Sequence, residues 1–228
     1  VHGIIGPNGS GKSTLISALT RYHELTSGSV TLLGAEADKK PFKVARDGVT
    51  RVFQIPHLFE RVSVLDNVLT GMYRRDKYSI FDAILRTPRY LKANSRSVAE
   101  AKALLSLAGM LGMEELAAGS ISHGQKRLLE VIRAVATEPK ILILDEPATG
   151  LTQEEMHSLT SLIRTLAAGG MCVVLIEHNV AFLMDLADIV TVIQSGKVIA
   201  EGTPKEVQKN ERVLEAYLGN TDFSKELA

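Results

Sequence analysis

Residues 6–14 read Gly6-Pro7-Asn8-Gly9-Ser10-Gly11-Lys12-Ser13-Thr14. This is the spacing of a phosphate-binding loop, G-x-x-x-x-G-K-[ST]. The glycines let the backbone curl until consecutive N–H groups, from Asn8 to Thr14, face one anion. A helix starting at the lysine adds its partial positive charge. Lys12 has the reach to meet the β- and γ-phosphates of a nucleotide, and the Ser13 hydroxyl is the type of group that ligates Mg²⁺. The bland alternative is a glycine-rich turn that binds nothing. The flanks argue against it: residues 1–5 form an apolar run suited to a buried strand, and residues 14–19 read as a helix.

Four further groups could complete a site. The apolar run 141–144 ends in Asp145 and Glu146. Asp145 sits where an acid can hold Mg²⁺, and Glu146 where a carboxylate can take a proton from attacking water. Ser122-His123-Gly124-Gln125 precedes a helix. It reads either as a second anion site, built like the first, or as a plain N-cap. One chain cannot easily bring both anion sites to one phosphate tail, so the second is expected to serve a nucleotide held by another copy. Gln54 ends a strand and begins a loop, where its amide could ligate Mg²⁺ or orient water; the alternative is an ordinary loop residue. His178 follows the apolar run 172–176 at the sheet edge where ligands bind in open α/β folds, and could contact a γ-phosphate.

These residues need a scaffold that brings strand ends together. Strands are expected at 1–5, 29–33, 49–54, 141–144, 172–176, 189–193 and 198–200, and helices at 12–19, 64–72, 97–107, 125–137, 153–168, 180–186 and 205–209. Runs that are apolar on both faces belong in a parallel sheet covered on each side by helices. No strand signal occurs over 58–138, which reads as a helical subdomain inserted into an α/β core. The chain has 228 residues, enough for one such domain. Lys+Arg and Asp+Glu balance at 26 each, so no basic field points to nucleic acid. The run 171–176 is far shorter than the ~20 residues of a membrane span. No signal peptide is visible, although the sequence starts at Val1 rather than Met. The single cysteine, Cys172, excludes an internal disulfide and is expected to be a buried small hydrophobe. Residues 74–96 hold seven basic and two acidic side chains among Phe81, Ile84, Leu85, Tyr90 and Leu91. They read as a solvated helix face, or as a patch facing lipid headgroups or a membrane partner.

Together these motifs resemble the ATPase subunit of an ATP-binding cassette (ABC) transporter, from Val1 to about Gly219. Gly6–Thr14 is similar to the family's Walker A loop, Gln54 to its Q-loop glutamine and Ser122–Gln125 to its signature sequence. The run 141–146 is similar to Walker B, Ala148-Thr149-Gly150-Leu151 to the D-loop and His178 to the switch histidine. Gly202-Thr203-Pro204, the ending Val213–Gly219 and the stretch Ser79–Pro88 resemble ATPases that import branched-chain amino acids. The Ser-His-Gly-Gln signature also resembles urea or short-chain amide importers.

The resemblance implies a P-loop NTPase fold with a mainly parallel sheet. It places a catalytic core at 1–57 and 139–202, the helical subdomain at 58–138, C-terminal helices at 203–219 and a tail at 220–228. It implies ATP and Mg²⁺ as ligands, with Lys12, Ser13, Asp145 and Gln54 around the metal and phosphates. Glu146 is then the general base and His178 the γ-phosphate sensor. Two such subunits, identical or paralogous, are expected to pair head to tail, so that Ser122, Gly124 and Gln125 of one copy meet the ATP of the other. Integral membrane permeases, a solute-binding protein acting indirectly, and a peripheral place on the cytoplasmic face of the inner membrane complete the expectation. Two departures stand out. His123 replaces the usual glycine of the signature, so its side chain is expected to point away from the nucleotide. The family also carries residues before Walker A that supply antiparallel strands and an adenine-stacking aromatic. None precedes Val1 here, and a sequence that begins part-way into the fold is expected. The rivals are a lipopolysaccharide-type exporter ATPase, a soluble ABC ATPase acting on DNA or ribosomes, and a P-loop kinase.

Overall fold

A computed structural model describes residues 1–37, 40–73 and 79–218. The expected tail at 220–228 and the basic residues 74, 75 and 77 lie outside them. The chain divides into two units. One holds Val1–Gln54, Lys140–Thr149 and Leu166–Ala228; the other holds Ile55–Pro139 and Gly150–Thr165.

The first unit opens with strand β1 (His2–Ile5), the phosphate loop and helix α1 (Lys12–Leu19). A small hairpin follows, β2 (Thr31–Leu32) and β3 (Ala35–Glu36), then helix α2 (Pro41–Asp47) and strand β4 (Val49–Val52). The second unit contributes helices α3 (Val64–Met72), α4 (Ile80–Ile84), α5 (Pro88–Leu107) and α6 (His123–Val135), with a 3₁₀ turn at Ala118–Ser120. The chain then runs through β5 (Ile141–Asp145), helix α7 (Gln153–Ala168), β6 (Cys172–Ile176) and helix α8 (Val180–Leu186). It ends in β7 (Ile189–Gln194), β8 (Lys197–Gly202), α9 (Pro204–Gln208) and α10 (Glu211–Leu218).

Six strands form the main sheet in the order β4-β5-β6-β1-β7-β8. All neighbours are parallel except the β7–β8 hairpin. The loops leaving β1, β5 and β6 therefore emerge at one sheet edge, which is where the sequence puts its reactive residues. Below them Ile4, Ile16, Val44, Val49, Ile143, Ile176 and Ile193 form a core cluster. The branched side chains suit packing on a pleated, buried sheet.

Three differences from the sequence expectation have local causes. Helix α5 begins at Pro88 rather than 97, because Thr87 accepts a hydrogen bond from the Tyr90 amide and Pro88 sits at the first helical position. The strand expected at 29–33 is only Thr31–Leu32, since Leu33 and Gly34 turn at positive φ into β3. Cys172 is exposed, not buried: it is the first residue of β6, at the margin of the sheet. Within the basic stretch, Phe81, Ile84 and Leu85 are exposed, Phe81 at 75%.

The second unit is built on α3, α5 and α6, which pack on one another, and Val64, Val68, Met72, Leu105, Leu129 and Ile132 of these helices are buried. Gly71 lets α3 approach α6 closely: a Cβ there would run into the Arg133 carbonyl oxygen and reach Ala136 Cβ at 3.0 Å. Gly71→Ala is expected to cost about 1–3 kcal/mol, as overpacking does. Urea unfolding of the full chain reads this directly, and an unchanged midpoint would show that the helices separate at no cost.

Candidate functional site

In the first unit, strand β1 delivers the loop and α1 receives it. Gly9 (φ 76°) and Gly11 (φ 102°) take the left-handed conformations that curl the backbone. A side chain at Gly6 would overlap the Ile193 carbonyl, so the loop lies hard against β7. Lys12 is only 5% exposed, and its Nζ donates to the carbonyls of Gly6 (2.6 Å) and Pro7 (3.2 Å). Burial pulls its pKa down, opposed by the negative charges of Glu146 and Asp145. Among the described residues Ser10 Oγ, which is buried, has no hydrogen-bond partner. An unpartnered buried hydroxyl beside curled backbone amides fits an anion-binding cradle.

Opposite the loop stands Glu146. Its backbone is left-handed (φ 49°), unusual for a non-glycine residue, and its amide donates to the Ile176 carbonyl at 2.9 Å. One carboxylate oxygen accepts from Gln54 Nε2 at 2.7 Å, and the other lies 2.5 Å from His178 Nε2. Asn8, Gly9, Ser10, Gly11, Lys12, Ser13, Thr14, Glu146 and His178 line one open cleft of about 290 Å³. The structure thus gathers at one place what the sequence scattered over three loops. Gln54 reaches the same carboxylate, with its amide nitrogen on Glu146.

Two supports escaped the sequence reading. Arg51, on β4, bonds the Asp145 carboxylate at 2.5 Å and lies over the Phe53 ring at 4.6 Å. Glu177 is buried under the site. Its two oxygens accept from the backbone amides of Ala148 (2.7 Å) and His178 (3.2 Å), tying the loop after β5 to the loop after β6. A carboxylate between an apolar strand and His178 was the available signal. For Arg51, a lone cation in a short strand, sequence offered none.

The second unit holds a cluster of its own. Ser122 caps α6: its Oγ accepts from the Gln125 amide (3.2 Å) while Gln125 Oε1 accepts from the Ser122 amide (2.9 Å). The plain-cap reading is therefore correct as local structure, and the reciprocal bonds form a capping box. Glu155 Oε1 accepts from Ser122 Oγ (3.2 Å) and from the Gly124 amide (3.1 Å). His123 is exposed, its ring beside Gly150. Further along α6, Glu130 Oε1 accepts from the His57 amide at 3.1 Å, and Arg133 Nη2 donates to the His57 carbonyl at 2.6 Å.

A family model described as ABC transporter matches residues 1–149. The chain belongs to the ABC transporter family. A second model, described as Branched-chain amino acid ATP-binding cassette transporter, matches residues 197–222. Over 218 residues the chain is 36% identical to the high-affinity branched-chain amino acid transport ATP-binding protein LivG of Salmonella typhimurium, covering 95% of this chain and 86% of that one. It is 35% identical over 218 residues to BraF of Pseudomonas aeruginosa, which carries the same description, with the same coverage. A crystal structure of an ATP-binding cassette of an ABC transporter, in its ADP conformation, superposes with a TM-score of 0.80 at 31% identity, covering 96% of this chain and 88% of that one. The ABC cassette is an ATP-binding, ATP-hydrolysing protein, and the cleft described above carries the family's phosphate loop.

Burial pushes the Glu177 carboxyl up to about 7, from 4.5, against the pull of the backbone amides of Ala148, Asn179 and His178. The folded chain then holds a proton that the unfolded chain releases near 4.5. This contribution to stability is full below 4.5 and is lost as pH rises through about 7, a loss of about 3 kcal/mol. Unfolding free energies measured across that window should fall with rising pH, and Glu177→Gln should flatten the slope. An equal slope in both proteins would remove Glu177 as its source.

Proposed function

We propose that this chain is the ATPase subunit that powers import of branched-chain amino acids, or of a related small polar solute, through a membrane permease. The observation that carries the catalytic part is Glu146, facing the phosphate loop across one cleft with His178 and Gln54 each on one of its oxygens. The match over 197–222 and the descriptions of LivG and BraF support the solute class. The exporter alternative has no comparable support.

In this reading the curled amides of the loop and Lys12 bind the nucleotide's phosphates, with Lys12 Nζ exchanging loop carbonyls for phosphate oxygens. Water attacks the γ-phosphorus, the bond to the β–γ bridging oxygen breaks, and ADP leaves with that electron pair. Glu146 accepts the proton of the attacking water. His178 and Gln54 hold the carboxylate in place, so that little reorganisation accompanies the step. Ser13 Oγ and the Asp145 carboxylate are hard oxygen donors of the kind Mg²⁺ takes, and Lys12 already feels both carboxylates. Among the described residues no group of three or more His, Cys, Asp or Glu could hold a metal, so a cation here would draw its remaining ligands from phosphate and water. When bound, Mg²⁺ neutralises phosphate charge and orients the γ-group.

The Ser122 hydroxyl and Gly124 amide are proposed to complete the phosphate site of a second copy, identical or paralogous, in a head-to-tail pair. Among the described residues no helix is long and apolar enough to cross a membrane. On the strength of its family, the subunit is proposed to sit peripherally on the cytoplasmic face of the membrane, against its permease, with a solute-binding protein acting on the far side.

Glu146→Gln is expected to reduce turnover by about 10²-fold or more. It should leave ATP binding intact and produce a stable dimer in Mg²⁺–ATP, read by phosphate release, nucleotide titration and sedimentation. Turnover at the parental rate would reject Glu146 as the base. Ser122→Ala should lower turnover while leaving ATP binding to the single subunit unchanged; equal loss of both would reject the shared site.

A further inference from the structure

The most informative contact outside the phosphate cleft is made by a residue with no assigned role. Glu155 lies in the first turn of α7. The spacing Thr152-x-x-Glu155 is that of a capping box, whose acidic member normally reaches back to the N-cap amide. Glu155 Oε2 does this, accepting from the Thr152 amide at 3.1 Å, while the Glu155 amide donates to Thr152 Oγ1 at 3.3 Å. One oxygen satisfies the cap, and the other takes up a second position.

That other oxygen, Oε1, sits on the start of α6, bonded by Ser122 Oγ and the Gly124 amide. A Cβ built on Gly124 would overlap the Glu155 carboxylate, so glycine is needed there for the contact. The carboxylate therefore lies between two helix N-termini, where negative charge is favoured. Hydrogen bonds from the Thr152 amide, and further from the Gly124 amide and the Ser122 hydroxyl, hold its carboxyl below the usual range against the opposing effect of burial. It is an anion at neutral pH. A carboxylate oxygen and a phosphate oxygen make the same demand on Ser122 Oγ and Gly124 N–H, and both cannot be met at once.

We propose that Glu155 is an internal competitor for the second anion site, and that the γ-phosphate of ATP held by a partner copy must displace it before the two copies close. The proposal rests on the shared-site reading given above. Only the fraction of molecules in which Glu155 has swung away can receive the partner's nucleotide, so the apparent affinity of pairing is lowered by that fraction. A triphosphate brings enough charge to displace a single carboxylate. Once the γ-phosphate has been cleaved and released, Glu155 returns to its donors and opposes closure. The residue would thus set the ATP concentration at which the pair forms and sharpen its discrimination against ADP.

The test is an Mg²⁺–ATP titration of dimer formation, read by sedimentation or light scattering, on the hydrolysis-blocked Glu146→Gln chain. It is compared with the same chain also carrying Glu155→Gln or Glu155→Ala. Glu155→Gln can still accept from the Thr152 amide while losing the charge. Both double variants should pair at about threefold to tenfold lower ATP than Glu146→Gln alone, with ATP binding to the single subunit unchanged. Damage to the α7 cap would move the midpoint the other way, so a fall separates competition from structural loss. Midpoints that stay put or rise in both double variants, with the parent still pairing, overturn the proposal alone. A Glu146→Gln parent that never pairs at saturating Mg²⁺–ATP overturns the shared-site reading and this proposal with it.

Discussion

The architecture of the first unit converges on the placement of one carboxylate. Glu146 takes a left-handed backbone immediately after a strand that is apolar until its last residue, Asp145. Its amide extends the ladder to Ile176, and its side chain is clamped between Gln54 and His178. Each partner comes from the end of a different strand, so the parallel order β4-β5-β6-β1 is what makes the clamp possible. An antiparallel neighbour at any of these positions would send one of the loops to the opposite edge. The buried Glu177 beneath ties two of these loops together through backbone amides, where a change of side chain in the loops themselves would not disturb it.

The same economy governs the second unit. Helix α6 starts with a reciprocal cap between Ser122 and Gln125, so the donors of its first turn are fixed in direction before any ligand meets them. The helix is apolar on the face that packs against α3 and α5, and polar where it meets loops. Glu130 and Arg127 are both buried and form an ion pair at 2.9 Å. Such a pair is weak evidence for stability, because desolvation offsets most of the attraction. Its effect here is directional: with one oxygen on Arg127, Glu130 presents the other to the His57 amide.

Much of this could be read from the residues in order. The phosphate loop, the strand ending at Asp145 and the histidine after β6 are local patterns, and local patterns survive without knowledge of packing. The residues that escaped act across long stretches of chain. Arg51 meets Asp145 from 94 positions away, and Glu155 meets Gly124 from 31. No periodicity connects such pairs; only the sheet order, or the folding of α7 with the helical unit, brings them together. Glu155 carried a visible signal as a cap residue, but a cap explains one oxygen and sequence cannot say where the second points. Cys172 failed for a related reason: an apolar run identifies a strand, not which end of it reaches the margin of the sheet.

Helix α6 also does something that neither of its ends reveals alone. Ser122 stands at its start; eight residues later Glu130 accepts from the His57 backbone N–H, and Arg133 donates to the His57 carbonyl. That separation is about 12 Å of hydrogen-bonded helix. The two peptide groups that flank the His57 Cα are thus each bonded to the same helix. The backbone three residues beyond Gln54 and the Ser122 hydroxyl are therefore fastened to one and the same helix.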